Sequence, residues 1–447
     1  MLTRIATDAE FQAGISRLRA VTARTGVEGL GFGAGSWARE EILFFATSPS
    51  VIPPEWILNL KNPIRRPTFQ GGRFSGLTST GPASTFRSVT SEMKSSPLES
   101  AHVALGAKLV SFAGWNMPIQ YTSIIDEHTA VRTHCGIFDI SHMGQFIVSG
   151  PTAAAWLNRM LTNNVAHLAI GHGQYTLMLN DKGGVIDDLI AYRTGESEFF
   201  LVVNASMIDE DFFWMASHQD ENITLRNESN LWAGMAVQGP HSQEIFAKVC
   251  PGETLPPRNG ISTLASGAVV CRTGYTGEDG FEFFTPVADG IPAWEKFIAA
   301  GAKPCALGAR DTLRLEMGYP LNGNDLSPAH SPIEAGLGFF CDLEKGDFIG
   351  RDTLAQQKAN GPAVKLTAIQ YLEKGAPPRA HYPVHAADGT VIGELASGVH
   401  SPSLATGIGM AYLPAEFSKI GTPLRIEVRG KLSLAKVVKK PFYRRPL

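Results

Sequence analysis

The stretch "GGVIDDLIAYR", residues 183–193, sets two adjacent aspartates, Asp187 and Asp188, at the head of an apolar run. Its alternation predicts a β-strand, with Asp187, Leu189 and Ala191 on one face and Asp188, Ile190 and Tyr192 on the other. Two carboxylates so placed cannot work as an acid–base pair on one face. One can look into a pocket while the other looks to water or to a helix end. The plainer reading is a turn, "NDKGG", followed by a strand whose first residues are still polar.

Outward from this strand the chain carries a repeated plan. "QFIVSGPTAAAWLNRML" reads as a strand, then Gly150 and Pro151, then a helix with Trp156, Leu157 and Met160 on its apolar stripe. "GMAVQGPHSQEIFAKVC" repeats it 89 positions later, with Gly239, Pro240, Ile245, Phe246 and Val249, which suggests a duplicated α+β unit. "SMIDEDFFWMASHQ" and "DGIPAWEKFIAAG" read as two more amphipathic helices, the second ended by Gly301. After about residue 365 the helices stop, and "VKLTAIQYL", "GTVIGELASG" and "PLRIEVRGKLSLAKVVK" read as strands of a small antiparallel β domain.

The composition is that of a globular protein, 44% hydrophobic with 39 basic against 42 acidic residues in 447, so a polyanionic partner such as nucleic acid has no general support. No apolar run approaches the length of a membrane span. Five scattered cysteines, never in a C-x-x-C pair, argue against a disulfide framework and against a thiolate metal site. The histidines do not cluster as ligands, so no metal is expected. Residues 1–92 stand apart: ten basic against seven acidic residues, and no acid at all between 61 and 91. That segment is rich in Gly, Ser and Thr, and is expected to be disordered or loosely attached, with a short helix over residues 9–20. Met93 sits where an initiator would be expected, which favours a start assigned too early.

Two further segments carry polar density. "CRTGYTGEDGFEFF" gathers glycines around Tyr275, Glu278 and Asp279, a loop on which a backbone can approach a ligand and a carboxylate can accept two N–H groups from a flat heterocycle. Its plainer reading is a hairpin with an exposed acidic tip. "LGARDTLRLEMGYPLNGND" puts Arg310 and Arg314 on one helical face, suited to a carboxylate or to an ordinary solvated ion-pair surface.

The ordered set "KLVSFAGWNMPIQY", "DEHTAVRTHCGIFDISHMGQ", "YTLMLNDKGGVIDDLIAYR", "FLVVNAS", "RTGYTGEDGFE", "LGARDTLRLE", "SPIEAGLGF" and "SGVHSPSL" resembles the T-protein family of the glycine cleavage system, over about residues 97–447. The resemblance implies an α+β fold: a three-domain cloverleaf of two interleaved lobes (residues 93–364) and a C-terminal antiparallel β domain (365–447), around a central folate channel. It implies a tetrahydrofolate-dependent aminomethyltransferase. The methylene carried on the lipoyl arm of the H-protein passes to tetrahydrofolate as co-substrate, with release of ammonia and formation of 5,10-methylenetetrahydrofolate.

Carried over residue by residue, the resemblance makes Asp187 the catalytic carboxylate. It makes Glu278 and Arg310 folate-binding residues and Tyr175, Tyr275 and Tyr319 lining residues, with Arg444 touching ligand or partner. The expected partners are the lipoylated H-protein and tetrahydrofolate, with no nucleic acid and no membrane. The expected location is the bacterial cytoplasm, or the mitochondrial matrix in a eukaryote. The alternatives are a folate-binding iron–sulfur cluster assembly factor of the same fold, which lacks the paired aspartates, and a folate-dependent demethylase or dimethylglycine-type oxidase. The oxidase would need more than 92 residues ahead of the fold for its flavin domain.

Overall fold

The computed structural model describes residues 93–445. The expected N-terminal extension and its short helix lie outside the described residues.

The duplication read from the two Gly-Pro segments is present in the topology. In the first lobe, strand Gly144–Ser149 leads through helix Ala153–Met160 to strands Gly173–Leu179, Val185–Gly195 and Glu198–Val203, then to helix Ile208–Ser217 and strand Thr224–Asn227. These five strands form one antiparallel sheet in which the first pairs with the fourth and the fifth. The second lobe runs the same course. Strand Trp232–Gln238 leads through helix Ser242–Val249 to strands Ile261–Thr263, Val269–Cys271 and Gly280–Pro286, then to helix Gly290–Ala299 and the short strand Lys303–Pro304. Here an extra strand, Gly136–Asp139, is laid between the first and the last, making six.

The two Gly-Pro turns explain themselves sterically. Gly150 and Gly239 have φ of 138° and 140°, and a Cβ would fall 2.0 Å from the Asn222 carbonyl oxygen in one and 2.4 Å from that of His134 in the other. Only glycine fits either corner. Beyond it each helix turns in the stripe expected from its spacing: Trp156, Leu157 and Met160 are buried in the first lobe and Ile245 and Phe246 in the second, where Val249 is only partly buried.

Each lobe has its own core, around Trp156 and Phe146 in one and Trp294 and Phe281 in the other. A third cluster joins the two sheets through Ile147, Tyr192, Phe200, Ile261 and Phe284. The C-terminal part is a closed six-stranded barrel between Val364 and Val437, in the spatial order first, fourth, third, second, fifth, sixth. Among the described residues no helix is long and apolar enough to cross a membrane.

Candidate functional site

The strand Val185–Gly195 is launched by a turn that Asn180 closes. Its side-chain oxygen accepts from the Lys182 and Gly184 amides at 3.0 and 2.9 Å. The strand then places its two aspartates on opposite faces, as alternation requires. Their surroundings are the reverse of what the family resemblance implied. Asp187 has 0% exposure and points to the side where Leu189 and Ala191 join the first-lobe core. Its carboxylate is already occupied: Asn204 donates from its backbone N–H to Oδ2 at 3.0 Å and from Nδ2 to Oδ1 at 2.9 Å, and Asn322 donates to Oδ1 as well. Asp188 is half-buried on the other side, where the Tyr175 hydroxyl donates to Oδ2 at 2.9 Å and Asn204 Nδ2 to Oδ1 at 2.9 Å. Burial, and then the Asp187 charge behind it, push the Asp188 carboxyl up to about 7.

Around Asp188 lie the aromatic residues expected from sequence. Tyr175 meets Phe340 edge-on with ring centroids 4.7 Å apart. Tyr275 stacks on Tyr319 at 5.8 Å and 25° and donates its hydroxyl to the Pro320 carbonyl. The Arg310 guanidinium lies over the Tyr275 ring, 4.9 Å from its centroid, and among the described residues it makes no hydrogen bond or ion pair. Its charge is felt by Glu282, from strand Gly280–Pro286, a buried carboxylate that accepts from Thr273 Oγ1 at 2.9 Å. Thr273 in turn is 2.7 Å from the Tyr192 hydroxyl, so one polar chain crosses from lobe to lobe.

The two arginines of helix Leu307–Glu316 do not act as a joint fork. Arg314 is consumed by Asp311 at 2.8 Å, Asp325 at 2.6 Å, the Tyr319 carbonyl at 3.0 Å and Ser397 of the barrel at 2.8 Å. Of the two, Arg310 alone keeps its donors without hydrogen-bond partners among the described residues.

Glu278 is not the exposed acidic tip of a hairpin, and its carboxylate is not turned to the Asp188 group. Its side chain is 1% exposed, with Oε1 held by Arg132 at 2.9 Å. Arg132 also binds Glu316 Oε2 at 2.8 Å, and Glu316 accepts from Ser401 and Ser403 of the barrel. The C-terminal segment closes over this network: Tyr443 covers Arg132 at 4.4 Å and Arg445 comes within 3.7 Å of Glu278 Oε2. Arg444, the tail residue singled out in the sequence, is exposed and makes no hydrogen bond or ion pair among the described residues.

The sequence did not single out Asn204 and Asn322, which the structure brings to Asp187, or Glu282, which it brings near Arg310. For Glu282 a signal exists: an acid in the middle of the apolar run "GFEFF" has to be buried with a purpose or a partner. Asn204, at the end of "FLVVN", and Asn322, in an irregular loop, have none, because their partners lie far away in the chain.

Residues 98–345 match the GCVT N-terminal domain family and residues 365–444 the glycine cleavage T-protein C-terminal barrel domain. The aminomethyltransferase of Symbiobacterium thermophilum is 44% identical over 370 residues, 79% of this chain and 98% of its own. That of Geobacillus kaustophilus is 42% identical over 363 residues, 79% of this chain and 99% of its own. The crystal structure of the glycine cleavage system aminomethyltransferase T from Bartonella henselae, 33% identical, superposes with a TM-score of 0.75 over 79% of this chain and 99% of its own. The likeness runs through both lobes and the barrel, and the chain belongs to the glycine cleavage T-protein family of aminomethyltransferases.

Proposed function

We propose that in this aminomethyltransferase of the glycine cleavage system Asp188, not Asp187, is the carboxylate that handles protons during transfer. The methylene donor is the aminomethyl-loaded lipoyl arm of the H-protein, and the acceptor is tetrahydrofolate. The observation that carries the reading is the half-buried Asp188 carboxyl, poised near neutrality between Tyr175 and Asn204. Transfer requires a proton delivered to the departing amine and protons removed from the folate nitrogens as the methylene bridge closes. A carboxyl that titrates near the working pH can serve both needs, and when ionised it stabilises cationic charge on the transferred carbon. Asp187 is poorly suited, because it is wholly buried and accepts three bonds from Asn204 and Asn322.

The binding residues follow from the same surroundings. Glu282 retains one oxygen for the N–H groups of a pterin, Arg310 offers unused guanidinium donors, and the rings of Tyr175, Tyr275 and Tyr319 offer flat apolar walls. Neither the assembly-factor nor the demethylase alternative is favoured by the relatives' activity, and bacterial relatives support a cytoplasmic location. The test is methylene transfer from loaded H-protein by Asp188→Asn and Asp187→Asn. The first should lose about 10²-fold or more in kcat with tetrahydrofolate affinity retained. Equal turnover in Asp188→Asn and the unmodified enzyme would sink the assignment.

A further inference from the structure

Helix Ile208–Ser217 brings a third carboxyl group to this cluster. Asp211, in its first turn, is 0% exposed, and neither of its oxygens receives a hydrogen bond from any N–H or hydroxyl group among the described residues. It bears on the Asp187 carboxyl, which burial pushes up and which a bond from Asp211, with those from Asn204 and Asn322, pulls back down. An ionised carboxylate buried with no donor costs far more than the position near a helix N-terminus returns. Two carboxyl groups in contact cannot both ionise. The donors settle which one does: Asp187 accepts two bonds from Asn204 and one from Asn322, while Asp211 accepts none.

We propose that Asp211 is a neutral acid donating its O–H to the Asp187 carboxylate, and that this single-proton pair is a positioning element that orients and electrostatically biases Asp188. The inference rests on the assignment of Asp188 above. The coupling is geometric. Asn204 Nδ2 lies 2.9 Å from Asp187 Oδ1 and 2.9 Å from Asp188 Oδ1, so one amide bridges the fixed charge and the working one. Burial foremost, then the Asp187 charge, push Asp211 up to about 11, in keeping with a proton retained through the physiological range. The titratable groups facing the pair and Asp188 are Glu210 on the same helix, Tyr175 on the neighbouring strand and Tyr275 on the loop of the second lobe. No atom is transferred to substrate by the pair itself. Its part is to keep one negative charge behind Asp188, so that Asp188 does not ionise as an exposed aspartate would.

The test reads the pH dependence of kcat in four variants with aminomethyl-loaded H-protein, together with infrared spectra of the free enzyme. Asp187→Asn removes the charge, and the ionisation governing turnover should move to lower pH by about 1 unit or more. Asp211→Leu removes one donor to the Asp187 carboxylate and so raises Asp187, and the ionisation governing turnover should move in the same downward direction by a smaller step. Asp211→Asn supplies an N–H in place of the O–H and should return the ionisation to its original position, a rescue that a merely structural role would not produce in the pH profile. At pH 8 the unmodified protein should show the C=O stretch of a protonated carboxyl that Asp211→Asn lacks and Asp188→Asn retains. A profile displaced in Asp211→Asn, or no such band at pH 8, would overturn the pair. If Asp188→Asn keeps full turnover, the assignment of Asp188 fails instead, and the infrared band still decides the pair.

Discussion

The two lobes share one topology and differ in what they set against their buried acids. In the first lobe the carboxyl groups of Asp187, Asp188 and Asp211 meet amides, a phenol and each other. Around the second, three acids meet guanidinium groups: Glu278 and Glu316 meet Arg132, and the half-buried Asp279 meets Arg272, while Asp139 is held by Ser96, His102 and Ser141 and Glu282 is raised by burial. Neutral donors hold a carboxylate in place without cancelling its charge, so burial and mutual repulsion raise its pKa and the proton stays exchangeable. A guanidinium fixes both place and charge. The same frame thus builds a proton-handling cluster in the first lobe and a charge-locked cluster around Arg132 beside the second, and the choice of partner, not the fold, separates them.

The largest effect that would break this contrast is Arg132→Met. It would strand Glu278 and Glu316 without their cation, at a cost of about 3–5 kcal/mol in unfolding free energy, read by denaturant melts. A loss under 1 kcal/mol would mean that the cluster around Arg132 is not charge-locked. Next comes acid titration. Burial alone would raise Glu316, but bonds from His128, Ser401 and Arg132 outweigh it and hold the group at about 2. A carboxylate depressed in the folded state contributes stability that is present above its unfolded value near 4.5 and lost as pH falls through 2. Stability should therefore drop by on the order of 2–3 kcal/mol between pH 5 and pH 2, and Glu316→Gln should flatten that slope.

A smaller effect sharpens the comparison inside the site. Glu282→Gln should weaken tetrahydrofolate binding by about 1–3 kcal/mol, while Glu278→Gln should leave binding within about 0.5 kcal/mol and lower stability instead. Calorimetry giving the reverse order would exchange their roles. The smallest expected effect is Tyr175→Phe. Losing the phenol donor disfavours ionised Asp188, so the ionisation governing turnover should move up by about 0.5–1 unit. A downward move would contradict the direction assigned to that hydrogen bond.

Much of this was legible in the residues. Alternation placed the two aspartates on opposite faces, and the Gly-Pro repeats disclosed the duplication that the sheets display. Spacing could not say which face looks inward, because both faces of Val185–Gly195 are covered: one by the first-lobe core and helix Ile208–Ser217, the other by the aromatic group and the interlobe cluster. A strand covered on both sides loses the polar-outward signal. The proposal to read Glu282 in place of Glu278 rests on a related point. "GEDGFE" offers Glu278 in a glycine-rich loop, where an acid looks functional, and Glu282 in a strand, where it looks like an intrusion. Arg132, 146 positions before Glu278, claims the loop residue.

The barrel's serines bear on how this chain is made. Arg314 donates to Ser397, and Glu316 accepts from Ser401 and Ser403, all in a region translated some eighty residues later. During synthesis the helix Leu307–Glu316 leaves the ribosome with its buried charges only partly answered. It waits, at about 5–20 residues per second, for the strands that complete it. The nascent enzyme should therefore be most vulnerable to proteases and most dependent on chaperones in that interval, and a synonymous change that slows translation beyond residue 316 should lower the yield of active protein without altering a single amino acid.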